Sequence, residues 1–379
     1  MKIQVDRDVL AEAVSFAVRL LPAKSTLPIL GGVLIETGQD GISISSFDYE
    51  VSTTTTLAAT VEEPGKVVVI GRLLADIASR LPNAPVVITE RDNRVSITCG
   101  SSEFTLLSMS IDEYPTIPTV TGKSGVVKAA DFADAVSQVA MAASRDDVMP
   151  VITGILFEVS DKHINLVATD RFRVAIREIE WDSDSISEMT SLVPARTVSE
   201  LSKTFANAGT ITISFSDVSD REIIAFSADN KTVTSHLLKG TFPPVKKLFP
   251  DAVPHHAVVN TAELIEATRR VKLVVDREGF MKCTFSQNVL TLESVSGEQA
   301  QAHEEVDAIV SLDEAVLSLK TDFLLDGLAA VHSEFTRISF IAGETATKPG
   351  PILLTSQTSK ESASSEAFRY LLQPKLLLR

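Results

Sequence analysis

At 379 residues, with 44% hydrophobic and 22% charged residues, the chain is too long for one ordinary core and too apolar to be disordered, so it points to two or three globular domains. Its net charge of −15 argues against a protein that simply coats nucleic acid, because phosphate contact is made by lysine and arginine. Cys99 and Cys283 have no companions at metal-ligand spacing; they imply neither a disulfide framework nor a zinc site and read as buried thiols.

The start, Met1-Lys-Ile-Gln-Val-Asp-Arg7, enters an amphipathic pattern without the apolar stretch of a secretory leader. No apolar run approaches the roughly eighteen residues of a bilayer span, so a soluble, cytoplasmic protein is expected. A short strand at Lys2 to Val5 is followed by a predicted helix over 8–20, with Asp8 as its cap and Leu10, Val14, Ala17 and Leu21 on one face. β-Branched strands are predicted near 34–36, 42–46 and 51–57, with turns at Gly38 and Gly41. A strand at 66–70 precedes a helix over 72–81; strands near 86–89, 94–99 and 104–107 follow, and Tyr114-Pro-Thr-Ile-Pro118 closes this stretch. From about Gly125 the same order recurs, with helices over 131–145 and 196–205, up to the proline-bounded linker Gly240-Thr-Phe-Pro-Pro-Val-Lys-Lys-Leu-Phe-Pro250. The last stretch, from about Ala252 to Arg379, carries helices over 261–276 and 322–331.

This recurrence is a repeat. Pro28-Ile-Leu-Gly-Gly-Val-Leu-Ile-Glu36 leads into Ser43-Ile-Ser-Ser-Phe-Asp48, and Pro150-Val-Ile-Thr-Gly-Ile-Leu-Phe-Glu158 leads into Asn165-Leu-Val-Ala-Thr-Asp170; the prolines and the aspartates are both 122 residues apart. Arg72 and Arg196, and likewise Asn83 and Asn207, are 124 apart. A fixed long offset marks repeated domains, expected at 1–120, 121–250 and 251–379. Each is an α+β unit, rich in strands, whose two amphipathic helices lie on one side of the sheets. The many helical alanines, among them Ala13, Ala17, Ala135 and Ala142, serve either helix propensity or close approach to a sheet. Counted over 8–20, 72–81, 131–145, 196–205, 261–277 and 320–331, the six predicted helices together carry no net charge, so the rest of the chain holds the whole −15. That balance fits a common surface distinct from an acidic exterior, and it also fits ordinary pairing within helices.

Thr26-Leu-Pro-Ile-Leu-Gly31, Ala168-Thr-Asp170 before Arg171-Phe-Arg173, the proline-bounded linker and the terminal Tyr370-Leu-Leu-Gln-Pro374, in that order on three repeats, resemble the bacterial DNA polymerase III beta subunits, the sliding clamps. The resemblance spans the chain. It implies a ring-forming, head-to-tail homodimer of three-domain subunits with helices lining a central hole around double-stranded DNA. It also implies a non-enzymatic processivity role without cofactor or catalytic residues. The implied partners are the polymerase III alpha subunit, the clamp loader, other polymerases and repair proteins, all held through short linear peptides.

By family position the peptide pocket is Ile152, Thr169, Arg171, Phe172, Arg173, Val174, Pro243, Lys247, Leu248, Leu371 and Gln373, apolar walls with a few polar groups to orient a peptide. Lys24 and Arg196 sit where family members carry DNA-contacting basic residues, and Arg72, Arg145, Lys203, Arg269, Arg270, Lys272 and Arg277 are expected to face DNA from their positions on the helices, giving weak, sequence-independent phosphate contact. For ring closure, Phe104 and Leu106 are expected against Leu273 and Val274, with Glu298, Glu304 and Glu305 near the rim. The chain departs from the family at Arg171-Phe172, where many members have Gly-His, and at Gln373 and Lys375. These differences leave room for a clamp-like paralogue with altered partners. From another class, a metal-dependent hydrolase would need Asp146, Asp147 and Asp170 to converge on an ion.

Overall fold

The computed structural model describes residues 1–22, 27–183, 188–216, 222–250, 253–276, 278–294, 300–341 and 350–375. The first repeat comprises β1 (Lys2–Val5), α1 (Arg7–Arg19), β2 (Gly32–Thr37), β3 (Ile42–Phe47), β4 (Val51–Leu57), β5 (Thr60–Glu63), β6 (Lys66–Ile70), α2 (Gly71–Ala78), β7 (Val86–Arg91), β8 (Arg94–Cys99) and β9 (Ser102–Leu107). The second comprises β10 (Ser124–Lys128), α3 (Ala129–Ala140), β11 (Gly154–Ser160), β12 (His163–Thr169), β13 (Arg173–Glu180), β14 (Glu188–Pro194), α4 (Ala195–Phe205), β15 (Thr210–Phe215), β16 (Ile223–Ala228) and β17 (Lys231–His236). The third follows the second strand for strand: β18 (His255–Asn260), α5 (Thr261–Lys272), β19 (Phe280–Ser286), β20 (Val289–Ser294), β21 (His303–Val310), β22 (Glu314–Lys320), α6 (Thr321–Val331), β23 (Phe335–Phe340), β24 (Ile352–Gln357) and β25 (Ser365–Leu372). The first repeat differs by one added strand, β5.

Contacts divide the chain into two units, neither of which is a whole number of repeats. One holds 1–130, 182–186 and 200–237; the other holds 131–181, 187–199 and 238–379. The cause is strand pairing across repeats. In the first unit β5-β1-β7-β8-β9 form one sheet, and the second sheet runs β10-β15-β16-β17-β4-β3-β2-β6, so β17 of the second repeat pairs antiparallel with β4 of the first, Val233 opposite Thr53. In the second unit a twelve-stranded sheet runs β14-β11-β12-β13-β25-β24-β23-β18-β21-β20-β19-β22, joined where Val174 of β13 faces Leu371 of β25.

The helices cover the sheets as amphipathic elements must. In the first unit α1 buries Leu10, Val14 and Ala17 in a core with Val33, Ile35, Ile88 and Leu106, and it touches α2 and, through Phe16 and Phe205, α4 (ring centroids 6.3 Å apart). In the second unit α6 packs on α5 and meets α3 where Gln138 donates to the Ala330 carbonyl (2.5 Å). Neighbouring helices thus stand in a row within each unit. The alanines permit close approach: the Ser46 hydroxyl of β3 donates to the Ala17 carbonyl at 2.6 Å, a distance a longer side chain there would obstruct.

Several helix boundaries differ from the sequence expectation: α2 ends at Ala78 rather than 81 and α5 at Lys272 rather than 276. Asp6, not Asp8, caps α1, its carboxylate accepting from the amides of Asp8 (2.8 Å) and Val9 (3.1 Å). The helix expected to reach Arg145 stops at Ala140; Ala142 and Ala143 close short turns onto Val139 and Ala140, and the Ser144 amide is taken by the Ile152 carbonyl at 2.8 Å. Both cysteines are buried and free, and burial pushes the Cys283 thiol well above its usual range.

Candidate functional site

The site is organised by the turn between β12 and β13. The Asp170 carboxylate accepts from the amides of Phe172 (3.0 Å) and Arg173 (3.1 Å), and the Thr169 hydroxyl accepts from Arg171 N–H at 3.1 Å while donating to the Arg173 carbonyl at 2.7 Å. This bends the chain through a left-handed residue, Arg171, at φ 81°. The first repeat makes the same turn: Asp48 accepts from Glu50 and Val51, and Tyr49 takes φ 75°. The aspartates read from the repeat are therefore turn-forming groups.

Because strand side chains alternate between faces, the residues after the turn separate. Thr169, Val174 and Leu371 follow one another across three paired strands, beside the row Leu156, Val167 and Ile176. Val167, Val174, Ile176 and Leu371 share an apolar cluster with Val245, flanked by Leu156, Phe242 and Phe249. The linker after Gly240 supplies Phe242, Val245 and Phe249 to this cluster, and its short helical turn Val245–Leu248 buries only Val245. Leu248 is left 55% exposed, Pro243 half-buried and Lys247 exposed. An apolar floor with an exposed leucine at its rim suits the hydrophobic anchor of a peptide.

Arg173 points to the opposite face. Its guanidinium bonds Asp170 (2.9 Å), Asp326 (2.5 Å), the Met141 carbonyl (2.6 Å) and, at 3.4 Å, the Tyr370 hydroxyl, and it lies 4.5 Å from the centroid of the Phe323 ring. The Tyr370 hydroxyl donates to the Phe323 carbonyl at 2.7 Å. Burial disfavours the charge on Arg173, but Tyr370, Asp326 and Asp170 outweigh it and keep the guanidinium protonated. Arg173 thus ties the second repeat's hairpin to α6 of the third. Beside it opens a depression of about 690 Å³ lined by Arg145, Asp170, Arg171, Phe172, Asp322 and Phe323 among others. Phe172, 58% exposed, stacks on Phe323 with centroids 6.2 Å apart, and the Gln373 amide bonds the Phe172 carbonyl at 3.1 Å. Ile152 is buried just before β11.

Sequence reasoning missed Phe323, Asp326, Tyr370 and Val245. Val245 was legible as the apolar residue between Pro244 and two lysines; the other three depend on how α6 meets the hairpin, which no local pattern encodes.

Of the residues read as DNA-facing, Lys24 and Arg277 lie outside the described residues. Arg72, Arg145 and Arg196 are exposed, and Arg72 donates to the Leu21 carbonyl at 3.0 Å. The others are engaged: Lys203 by Glu200 and Arg269 by Glu266 along their own helices, Arg270 by both oxygens of Glu304 at 2.8 Å, and Lys272 by Asp322. Phe104 is 40% and Leu273 83% exposed, whereas Leu106 belongs to its own unit's core; Val274 is half-buried, Glu305 exposed, and Glu298 lies outside the described residues. Asp146 accepts from the Val148 amide at 3.0 Å and Asp170 is held by Arg173. No group of three or more His, Cys, Asp or Glu is placed to hold a metal among the described residues.

Three β-rich repeats, each with two helices, joined edge to edge and carrying an apolar groove at one junction, define a clamp-type protein. Family profiles agree: residues 1–118 match the N-terminal, 126–244 the central and 246–364 the C-terminal domain of the DNA polymerase III beta subunit. The chain is 42% identical over 377 residues to the beta sliding clamp of Streptomyces coelicolor, covering 99% of both chains, and 40% identical over 307 residues to that of Micrococcus luteus, covering 81% of this chain and 98% of the relative. It is similar to the crystal structure of the Bacillus subtilis sliding clamp, with a TM-score of 0.90 and 25% identity, covering 99% of both chains. The chain belongs to the DNA polymerase III beta subunit family, the beta sliding clamps.

Proposed function

We propose that two copies of this chain close head to tail into a ring around duplex DNA, and that the ring tethers the polymerase III alpha subunit, the clamp loader and other polymerases and repair proteins by peptides seated on the Val174–Leu371 floor. In this reading the domains divide near residues 120 and 250, the protein has no catalytic residues of its own, and it works in the cytoplasm. No described helix is long and apolar enough to cross a membrane.

The observation that carries the ring is the twice-repeated junction. The last strand of the second repeat, β17, pairs with the β4 edge, and the last strand of the third, β25, pairs with the equivalent β13 edge. The last strand of the first repeat, β9, ends its sheet, and the start of β21, equivalent to β4 and β13, pairs only with β20 among the described residues. One more copy of the same junction, made between chains, would satisfy both edges; edges left open invite such pairing. Exposed Arg72, Arg145 and Arg196 supply loose phosphate contact suited to sliding, and the acidic remainder discourages binding elsewhere.

Light scattering on the purified chain tests this. A molar mass of twice the chain's 40.8 kDa is expected, falling to one chain in Phe104→Glu, which places a carboxylate opposite the acidic start of β21. A wild-type mass of one chain at high micromolar concentration would rule the ring out.

A further inference from the structure

The sheet of the third repeat carries, on the face away from α6, a row of positive charge with no counter-charge. On the neighbouring strands β25, β24 and β23, Arg369 stands opposite Thr355 and Thr355 opposite Arg337, so the three side chains share one face. Gly327 of α6 packs on the other face, against Tyr370 and Leu354. Both arginines are half-buried and neither makes an ion pair among the described residues; Arg369 lies 5.4 Å from the centroid of the Phe249 ring. The carboxylates nearest by register, Glu178 of β13 and Asp307 of β21, belong to other rows, and Glu178 lies 3.9 Å from His163. Thr355 is only 3% exposed, yet its hydroxyl and the Nε of Arg369 are buried with no hydrogen-bond partner among the described residues. Such groups cost free energy until an acceptor completes them. One row along, on β18, burial and the positive charges of Arg337 and His255 hold His256 below the usual histidine range. The local potential is thus positive, although the chain as a whole carries −15.

We propose that Arg337, Thr355 and Arg369 form a binding site for a phosphate-type oxyanion. A row with a purely structural role would set a carboxylate between two arginines, where cross-strand pairing of opposite charges stabilises a sheet; here a hydroxyl stands in that place. Two guanidinium forks and one hydroxyl are all donors. A phosphoryl group answers them with three strong acceptor oxygens, and its charge is neutralised by the arginines through paired hydrogen bonds. The ligand chemistry is the phosphoryl group itself, whether as the free anion or on a phosphorylated side chain of a partner. The assignment depends neither on ring closure nor on the peptide floor.

Inorganic phosphate titrated calorimetrically into the full chain, at constant ionic strength balanced with chloride, tests it. The wild type should bind one phosphate saturably with a Kd of about 1 mM, in keeping with a few charge-assisted contacts at a partly exposed site. Arg337→Gln and Arg369→Gln should each weaken binding about tenfold or more, and Arg337→Lys should retain part of it, because an ammonium keeps the charge without the fork. Thr355→Val keeps the shape of the side chain and should weaken binding about three- to tenfold, the range of one hydrogen bond. Since it removes a buried hydroxyl that has no partner, it should melt no lower than wild type in phosphate-free buffer, which separates lost binding from lost folding. O-Phosphoserine as a second probe assigns the source: tighter binding than phosphate, with the same dependence on the variants, points to a partner's phosphorylated side chain, and equal or weaker binding points to the free anion. Heats that do not saturate, or a Kd unchanged in both Arg337→Gln and Thr355→Val, would overturn the site.

Discussion

At the scale of single residues, neighbours in sequence do opposite work. Arg171, Phe172, Arg173 and Val174 are consecutive, yet Val174 joins an apolar floor, Arg173 is locked on the other face, and the first two stand at the rim. Arg173→Ala would leave Asp170 without its partner and open the Met141 carbonyl, a loss of about 2–4 kcal/mol on thermal or urea unfolding, since removing one member of a largely buried pair strands the other. Arg171→Gly should change stability in the other direction by about 1 kcal/mol, and the two melts together check that one residue stabilises and its neighbour strains. Tyr114 gives a pH signature. Its hydroxyl donates to the Gly32 carbonyl and accepts from the Phe47 amide, both at 3.1 Å, and burial pushes its pKa up to about 12. The unfolded chain ionises near its ordinary value of about 10, so this contribution is complete below pH 10 and is lost as the pH rises towards 12. The free energy of unfolding, followed across that window, should fall in the wild type and fall less steeply in Tyr114→Phe.

At the scale of elements, the strands and helices were legible because their hydrophobic periods are clear, and their ends were less so. Ala142 and Ala143 continue the pattern past Ala140, so the sequence alone carries α3 to Arg145; the Ser144 amide is instead taken by the carbonyl of Ile152, eight residues on. The Asp6 cap was obscured because Asp8 is just as suitable chemically, and only the extended backbone at Asp6, ψ 140°, distinguishes them. The candidate pocket was half legible. Thr169, Val174 and Leu371 could be placed by family position and strand alternation, whereas the brace under Phe172 comes from α6, whose approach depends on Gly327. A methyl group there would sit 2.5 Å from the Tyr370 ring and 2.9 Å from Leu354. Gly327→Ala is expected to destabilise by about 1–3 kcal/mol through overpacking despite the better helix propensity of alanine, an outcome that melting curves would show directly.

At the scale of the whole chain, the repeat was visible as a constant offset, but the way one repeat runs into the next was not, because pairing between strands some 180 residues apart, such as Thr53 with Val233, leaves no local trace. The two junctions inside the chain and the proposed third between chains share one strand geometry but differ in connectivity. Within a chain the two edges are tethered, which sets a high effective concentration that dilution cannot change. Between chains no tether exists, and the same strand pairing is subject to mass action. A ring built this way has a defined place to part: as concentration falls, the joint between subunits comes undone first while both internal joints stay shut. Reversible opening then requires no hinge within the subunit, only the absence of a peptide bond at one seam.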